Sequence, residues 1–310
     1  MVFSEDMISH IQQQSFHFKN ESDPLNFSYI SDYLKYYGFQ QSLISSYFNH
    51  WSTVHGEKIF VQVFIPEKVK SYVVVAHGYL DHTGGISLLV NDLLKNGYAV
   101  YIYDQWGHGL SSGKSADLED FQIYIDVLQT VYHDLIEYGF PAPQSAIGHS
   151  TGAAILFHGA CQRLFDISSL ILVAPLYHPY KWKYFQWALP FIAKQIKQKK
   201  RAYRKNSSSH QYLSFVESDP LQTESLHTNW LLALRQWQER ISTEHFCSIP
   251  TYIIQGTKDT TVHWKENLSF FTQATSTLQI ALVEGGRHQL LNERKGVRQL
   301  VFERILTRLS

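Results

Sequence analysis

A serine between glycines stands where a predicted strand passes into a predicted helix. Gly148, His149, Ser150, Thr151 and Gly152 match the pattern Gly-x-Ser-x-Gly, directly after a short β-rich run. This pattern favours a sharp, strained turn that lifts the serine hydroxyl above the strand end, because small flanking residues let the helix and strand backbones pass closely. A hydroxyl there also lies at the positive end of the helix. We therefore interpret Ser150 as a nucleophile; the alternative is a serine that only caps the helix.

A serine hydroxyl is a poor nucleophile unless a base takes its proton and an acid orients that base. After such a turn, the acid and then a histidine are expected later in the chain. Asp259 follows the apolar strand predicted at residues 251–254, at the kind of strand end that carries functional groups. Glu266 is the nearest competitor, but it lies in a predicted helix. Asp259 is therefore the candidate acid, and an ordinary turn aspartate is the alternative.

The candidate base is the last histidine of the chain. His288 follows the final predicted strand, residues 278–283, through a loop that contains Gly285 and Gly286. These glycines would let the loop bring the imidazole back over the sheet. No other histidine follows His263, so the chain order leaves His288 as the base.

Backbone N–H groups are the candidate donors to a developing oxyanion. One should come from the residue after the nucleophile, Thr151, and the other from the loop after the third strand, where Tyr79 is the candidate. His77 and Gly78 precede Tyr79, and a simple strand-ending turn is the alternative interpretation of that pair. His77, Gly78 and His149 are also candidates for lining a substrate pocket.

Hydrophobic periodicity predicts the elements that must position these residues. Two β-rich stretches within residues 47–65 flank residues 55–57 and predict a hairpin at an antiparallel sheet edge. Short β-rich runs at residues 72–76, 99–103 and 170–173 are separated by segments with helical period. The alternation predicts an α/β fold, with a mostly parallel central sheet and helices on both faces.

One helix is predicted with defined ends. Apolar residues recur every three or four positions from Phe121 to Leu135, Asp117 is the expected N-cap, and Gly139 is expected to end the helix. The apolar side of this helix should lie against the sheet.

The strand pattern disappears over residues 176–240, which are rich in Trp, Tyr, Lys and Gln. We interpret this stretch as a helical cap inserted between two parts of the core, residues 47–175 and 241–310. Residues 1–46 carry no motif that predicts a role.

Two tryptophans of the cap face the same way. Trp230 and Trp237 fall with Leu234 and Ile241 on one side of a predicted helix. They are expected either to pack in the core or to line a substrate pocket.

Composition excludes several classes of function. With 310 residues, 44% hydrophobic and 17% charged residues and a formal net charge of +0, the chain is typical of a globular protein and shows no sign of nucleic-acid binding. The glycine-rich residues 104–113 lack both the dinucleotide fingerprint and a Walker lysine, and no metal-ligand spacing is present. We therefore predict no cofactor and no metal. Cys161 and Cys247 are too few for a disulfide framework and receive no role.

The expected location is cytoplasmic. Residues 1–17 lack the basic and apolar regions of a secretory signal, and no apolar run approaches the roughly 20 residues of a membrane span. Aromatic residues of the cap are nevertheless followed by a basic stretch, a combination that suits an anionic membrane interface at the inner face, with a solvated helix as the alternative. The residues are Trp182, Tyr184, Phe185, Trp187 and Phe191, then Lys194, Lys197, Lys199, Lys200, Arg201, Arg204 and Lys205.

From about residue 47 onward, the chain resembles the monoacylglycerol lipase and bacterial lysophospholipase branch of the α/β-hydrolases, a branch that includes serine aminopeptidase-like proteins. The resemblance is carried by His77-Gly78, residues 104–113, the Gly-His-Ser-x-Gly motif, Asp259, and Gly286-Arg287-His288-Gln289-Leu290-Leu291-Asn292-Glu293. It implies an α/β-hydrolase fold and hydrolysis of single-chain acyl esters beneath a helical cap, without a cofactor. Tyr79 departs from the small residue that many relatives have there, which bears on the dimensions of the oxyanion pocket.

The expected reaction is hydrolysis of a lysophospholipid or monoacylglycerol ester through an acyl-enzyme on Ser150. The same groups could cleave an amide or a short-chain ester, so an aminopeptidase or amidase and a short-chain carboxylesterase are the alternatives. A binding protein that kept the fold and lost catalysis is the rival from another class. Intact candidates at Ser150, Asp259 and His288 argue against that rival.

Overall fold

A central sheet of eight strands organises the part of the chain that the structure describes. A computed structural model describes residues 3–18, 28–201, 205–244 and 246–309. The strands are β1 (Ser46–Val54), β2 (Glu57–Ile65), β3 (Ser71–Ala76), β4 (Tyr98–Tyr103), β5 (Ser145–His149), β6 (Ser169–Val173), β7 (Gln198–Lys200), β8 (Ser225–His227), β9 (Thr251–Gly256) and β10 (Leu278–Val283). All except β7 and β8 belong to the central sheet, in the order β1-β2-β4-β3-β5-β6-β9-β10.

The sheet is antiparallel at one edge and parallel elsewhere. β1 and β2 form a hairpin in which Val54 pairs with Glu57, and β2 runs antiparallel to β4. His55 and Gly56 between the two strands have φ angles of +47° and +85°, as a tight two-residue hairpin turn requires. The remaining neighbours are parallel. The predicted mostly parallel sheet with an antiparallel N-terminal edge is confirmed.

Helices cover both faces of this sheet. Alternate strand residues enter two separate apolar cores: Val74 and Tyr101 lie in one, whereas Val73 and Val100 lie in the other. α4 and α5 contribute to the first core, and α3 and α11 to the second. The helices are α1 (Glu5–Gln13), α2 (Ser28–Tyr36), α3 (Ser87–Lys95), α4 (Gln122–Glu137), α5 (Thr151–Cys161), α6 (Trp182–Phe185), α7 (Leu189–Gln195), α8 (His210–Ser218), α9 (Thr228–Glu244), α10 (Trp264–Gln273) and α11 (Lys295–Leu309).

The N-terminal segment packs on the second core. Phe39 stacks on Phe64 of β2 with ring centroids 5.1 Å apart, and Phe16 stacks on Trp51 of β1. Aromatic pairs of this kind add to the stabilisation from apolar burial. The segment for which the sequence predicts no role therefore covers one face of the hairpin.

The stretch between β6 and β9 contains α6 to α9 and also a small antiparallel sheet of β7 and β8. The prediction of a purely helical insertion misses this sheet. Its strands are three residues long and β7 is exposed throughout, so there is no apolar alternation from which a strand could be predicted.

The predicted N-cap of α4, Asp117, is wrong, because the N-cap of this helix is Phe121, four residues further on. The helix begins at Gln122, and Phe121 has no side-chain oxygen that could cap it. The N–H of Gln122 donates instead to Oδ1 of Asp120, the residue before the N-cap, at 2.8 Å. Asp117 instead forms an ion pair with Lys114 and accepts a hydrogen bond from Asn229 in α9. A tertiary contact from the insertion thus uses the aspartate that the local pattern favours as a cap.

Close backbone packing between α5 and β3 generates the first prediction. A Cβ atom added at Gly152 would lie 2.2 Å from the carbonyl oxygen of Ala76, a backbone atom that cannot move away cheaply. We expect Gly152→Ala to lower the free energy of unfolding by about 1–3 kcal/mol, as overpacking does, measured by urea denaturation. Gly296→Ala is the matched control, because an added Cβ there meets nothing within 4 Å. Equal stability of the two variants would contradict the tight approach.

Candidate active site

Ser150 occupies the sharp turn between β5 and α5. Its φ of +54° and ψ of −113° are strained for a residue with a side chain. The turn is held from β6, since the N–H of Ser150 donates to the carbonyl of Val173 at 3.0 Å. The conformation that the Gly-x-Ser-x-Gly pattern predicts is therefore present.

Three side chains that are far apart in the sequence meet at this turn. The Nε2 atom of His288 lies 2.9 Å from the Oγ of Ser150, and its Nδ1 lies 2.8 Å from Oδ2 of Asp259. All three residues are buried, with 4–8% of each exposed. The arrangement can pass a proton from the hydroxyl to the imidazole while the carboxylate stabilises the charged ring.

Hydrogen bonds other than the one to His288 hold the carboxylate of Asp259 in place. Its Oδ1 accepts hydrogen bonds from the N–H groups of Thr261 and Val262, at 2.8 and 3.1 Å, and its Oδ2 also accepts one from Gln255. Burial opposes ionisation, but His288 and these N–H donors outweigh it and lower the pKa of Asp259. An ionised acid therefore faces the imidazole.

The loop that carries His288 is tied down by residues whose role sequence reasoning missed. Buried Glu293 accepts a hydrogen bond from Arg287 N–H and another from Ser208 N–H, each at 2.9 Å. Asn292 donates to the carbonyl of Gly85 at 2.8 Å. Both belong to the run that carries the family resemblance, which was the only signal that could have found them.

Gly78 lies directly beside the candidate nucleophile. A Cβ added to it would be 3.1 Å from the Cβ of Ser150 and 3.2 Å from Nδ1 of His149. Tyr79 follows in the chain, so its N–H belongs to the loop that borders the hydroxyl. Thr151 is the first residue of α5, where a helix has no internal partner for its N–H groups. Both candidate oxyanion donors thus lie on segments that adjoin Ser150.

The side chains of His77 and His149 are buried, and their ring nitrogens form hydrogen bonds with backbone groups. Nε2 of His77 accepts a hydrogen bond from Gln105 N–H at 2.8 Å, so its Nδ1 carries the hydrogen and donates to the carbonyl of Gly78. His149 donates from Nε2 to the carbonyl of His288 at 3.1 Å. Burial lowers the pKa of each ring to about 3. Both imidazoles are therefore neutral supports of the two loops that meet at Ser150.

The two tryptophans of α9, Trp230 and Trp237, lie in the apolar interior. Trp237 is 1% exposed and donates to Nδ1 of His158, while Trp230 is 4% exposed and donates to the hydroxyl of Tyr124. Trp230 also stacks on Tyr79 with ring centroids 3.8 Å apart. Trp230 therefore adjoins the loop beside Ser150, whereas Trp237 contributes to core packing.

A possible cation-binding group lies elsewhere on the described surface. His133, Asp134 and Glu137 of α4 have ligand atoms within 4.8 Å of one another. None of the three is a member of the Ser150, Asp259 and His288 arrangement.

The fold and the turn at Ser150 are those of the α/β-hydrolases. Residues 67–295 match the protein family described as serine aminopeptidase, S33, and this match spans well over half of the chain. The chain belongs to this family.

Among individual proteins, the chain is similar to several monoglyceride lipases. The chain is 32% identical over 130 residues to the monoglyceride lipase of Rattus norvegicus, a match that spans 41% of this chain and 42% of that protein. A monoglyceride lipase homolog of Monkeypox virus is 26% identical over 257 residues, which cover 77% of this chain and 88% of that protein. A solved structure of a soluble variant of the Saccharomyces cerevisiae monoglyceride lipase, in complex with a substrate analog, has the same fold, with a TM-score of 0.73, 22% identity and coverage of 84% of this chain and 94% of that one.

The buried histidines generate a prediction about protonation. Because the pKa of His77 and of His149 is about 3, both rings should stay neutral from about pH 8 down to about pH 5, with hydrogen on Nδ1 of His77 and on Nε2 of His149. We expect their side-chain ¹⁵N shifts not to move over this range, whereas the same rings in urea should titrate near 6.5. Since the unfolded chain binds more protons below that value, these groups also make stability fall as the pH drops from about 6.5 towards 3. Titration of either ring in the folded protein would contradict the assignment.

Proposed function

We propose that this protein is a serine hydrolase that cleaves carboxylic esters of single-chain acyl lipids, a monoacylglycerol or a lysophospholipid. The observation that carries the proposal is the chain of two hydrogen bonds from Ser150 through His288 to Asp259, at 2.9 and 2.8 Å, on a strained turn. A serine that only capped a helix would need neither an imidazole nor a buried carboxylate behind it.

Acylation begins at the ester carbonyl. His288 accepts the proton of Ser150 as the hydroxyl oxygen attacks the carbonyl carbon, and Asp259 stabilises the imidazolium that forms. The N–H groups of Tyr79 and Thr151 bind the oxygen that becomes negative. When the tetrahedral intermediate collapses, His288 gives its proton to the departing alcohol, and the acyl group remains on Ser150.

Deacylation repeats these roles with water. His288 takes a proton from a water molecule, whose oxygen attacks the acyl carbon, and the same two N–H groups bind the second oxyanion. The proton returns to Ser150 as the fatty acid leaves. Water is the only co-reactant, and no cofactor enters the cycle.

The organisation of the chain fits this chemistry. We propose that residues 47–175 and 241–310 form the hydrolase core, since they supply the sheet and the three reacting side chains. Residues 176–240 form the cap over the site, because Trp230 from this stretch reaches Tyr79 next to Ser150.

The acyl-lipid substrate is supported by the names of the relatives and by the cap surface. Monoglyceride lipases are among the proteins that the chain resembles in sequence and in fold. Membership of the serine aminopeptidase family favours a second candidate function, that of an aminopeptidase. The same reacting groups can attack an amide. A peptidase would need acidic groups for a substrate amino group, yet residues 194–205 are basic. A short-chain carboxylesterase differs only in the length of acyl chain that it accepts.

Substrate class and nucleophile are tested together by measuring acid or amine release from monoacylglycerols, lysophospholipids, short-chain esters and aminoacyl amides. We expect a single-chain lipid ester to give the highest kcat/KM, and Ser150→Ala to lose on the order of 10³-fold or more of the activity. Thr272→Ala is a matched control, since it removes an exposed hydroxyl on α10 that donates to the carbonyl of Leu268 one turn earlier. Preference for amides would replace the lipid-ester proposal with the aminopeptidase one. Full activity in Ser150→Ala would rule out this nucleophile.

We further propose that the cap contacts an anionic membrane surface. Tyr184, Trp187 and Phe191 are 84%, 73% and 71% exposed, although large aromatic side chains are usually buried. Exposed lysines follow at positions 194, 197, 199, 200 and 205, while Trp182 is buried and Arg204 lies outside the described residues. Aromatic side chains can enter the headgroup region while lysines attract anionic lipid. No described helix is long and apolar enough to cross a bilayer.

Membrane contact is tested with vesicles of anionic and of zwitterionic lipid. We expect sedimentation with anionic vesicles at low salt, weaker sedimentation at high salt, and a several-fold loss of binding in a variant with Trp187→Ser and Phe191→Ser. Phe246→Ser is the matched control, since Phe246 is 59% exposed but lies between α9 and β9, outside the cap. No sedimentation of the wild type at low salt would exclude the proposal.

A further inference from the structure

A buried carboxylate of the cap contacts the loop that carries the proposed oxyanion donor. Asp219 follows α8, and its Oδ2 lies 2.8 Å from Nε2 of His82, with 0% of either side chain exposed. His82 is three residues beyond Tyr79. Nδ1 of His82 accepts a hydrogen bond from Gly84 N–H at 3.2 Å, so Nε2 carries the hydrogen and donates it to Asp219. A carboxylate without solvent is held only if hydrogen bonds offset the cost of its desolvation, so the other contacts of Asp219 matter.

The N-terminal segment supplies part of those surroundings. The hydroxyl of Tyr37 donates to Oδ1 of Asp219 at 2.6 Å, and Leu221 N–H donates to the same oxygen at 3.1 Å. The ring of Tyr37 meets the His82 ring edge-on, with centroids 4.9 Å apart. Burial opposes ionisation of Asp219, but His82, Tyr37 and Leu221 N–H outweigh it and lower the pKa of this carboxyl. An ionised Asp219 therefore joins the cap, the N-terminal segment and the loop after β3.

The cap makes two more contacts with this loop. The guanidinium of Arg201 donates to the carbonyl of Leu80 at 3.1 Å, and Trp230 stacks on Tyr79. Leu80 has a φ of +60°, which a residue with a side chain adopts only when its surroundings impose it. The strained loop is thus held at successive residues from the cap side.

The opposite side of the loop is held by the core. Thr83 N–H donates to Oδ1 of Asp104 at 2.7 Å, and Leu110 N–H donates to Oδ2 at 2.8 Å. Gly109 packs against the same carboxylate, and an added Cβ would lie 2.3 Å from Oδ2. The glycine-rich stretch after β4 therefore supports the loop end that follows His82. At the start of the loop, the hydroxyl of Tyr79 donates to the carbonyl of Ala116 at 2.8 Å, so core and cap hold this loop together.

We propose that Asp219 is a positioning residue for the oxyanion donor Tyr79, acting through His82, and that Tyr37 fixes Asp219 in place. The inference rests on the proposed function, because the position of Tyr79 N–H matters to catalysis only if an oxyanion forms at Ser150. Such a donor is effective when it already points to where charge will develop. The cap and the N-terminal segment then belong to the catalytic unit and do more than cover it.

Two conservative variants test this role without altering the three reacting side chains. Asp219→Asn keeps the size of the side chain and removes its charge, and Tyr37→Phe keeps the ring and removes the hydroxyl. We expect kcat to fall roughly 10-fold to 10²-fold in Asp219→Asn and by less in Tyr37→Phe, with KM nearly unchanged, because the oxyanion contact strengthens in the transition state. Amide hydrogen exchange in residues 78–86, followed by mass spectrometry, should become faster in both variants.

The control breaks a different contact between cap and core. Asp120 pairs with Arg240 of α9, and both side chains are 44–46% exposed. An exposed pair contributes little, so Asp120→Asn should keep the wild-type kcat and the wild-type exchange in residues 78–86. Thermal unfolding identifies any variant that does not fold. If Asp219→Asn does not fold, Tyr37→Phe, which removes one hydroxyl, tests the positioning role in its place.

The two readouts separate the possible failures. Unchanged exchange in residues 78–86 of a folded variant would overturn the positioning role, and so would a rise in KM with unchanged kcat. Hydrogen exchange requires no substrate. If the wild type released no fatty acid from any ester while Asp219→Asn still loosened residues 78–86, the proposed function would fail and the positioning contact would stand.

Discussion

The backbone conformation of Ser150 is the constraint on which the rest of the site depends. A φ of +54° costs a residue with a side chain about 1–3 kcal/mol, and it persists only where the surroundings fix it. Val173 at the end of β6 accepts a hydrogen bond from Ser150 N–H, and Leu176, just after β6, donates its N–H to the carbonyl of Ser150. α5, which begins directly after Ser150, holds the other side of the turn, because its residues 151–160 are all buried in the protein. Gly148 and Gly152 allow this packing, since a Cβ at either would meet backbone at 2.2–2.5 Å.

Once this turn is in place, the other groups reach it from loops at the same edge of the sheet. β3, β5, β9 and β10 run parallel, so their carboxyl ends lie together, and Gly78, Ser150, Asp259 and His288 all follow those ends. Each loop is secured independently of the reacting atoms. Asp259 is held by the N–H groups that follow it, and the loop of His288 is held by Glu293. The short distances between reacting atoms therefore result from separately fixed segments.

The features that the sequence could predict are those that local pattern determines. β10 begins and ends where its apolar run does, and the bounds of β3, β4 and β6 differ from the predicted runs by one residue at most. Ser150, Asp259 and His288 follow from a strained-turn motif and from chain order, which are also properties of the linear sequence. Their meeting within hydrogen-bond distance is what parallel strand ends would produce.

The features that the sequence could not predict depend on partners far along the chain. His149 contacts a carbonyl 139 residues away, and Asp219 contacts His82 across 137 residues. No periodicity encodes such a pairing. The same holds for Asp117, which the local pattern favours as a helix N-cap but which instead accepts a hydrogen bond from Asn229 of α9.

In the proposed reaction, a neutral His149 avoids electrostatic repulsion of the positive charge that forms on His288. The ring of His288 must become positive when it takes the proton of Ser150, and the ring of His149 lies only 5.0 Å away between centroids. A second positive charge at that distance would oppose the transfer. Burial, together with His288 itself, lowers the pKa of His149 to about 3, so this ring can donate to the backbone carbonyl of His288 without competing for charge. Among the described residues, the ionised group that contacts the imidazole is the Asp259 carboxylate, whose charge favours the imidazolium at the moment that it forms.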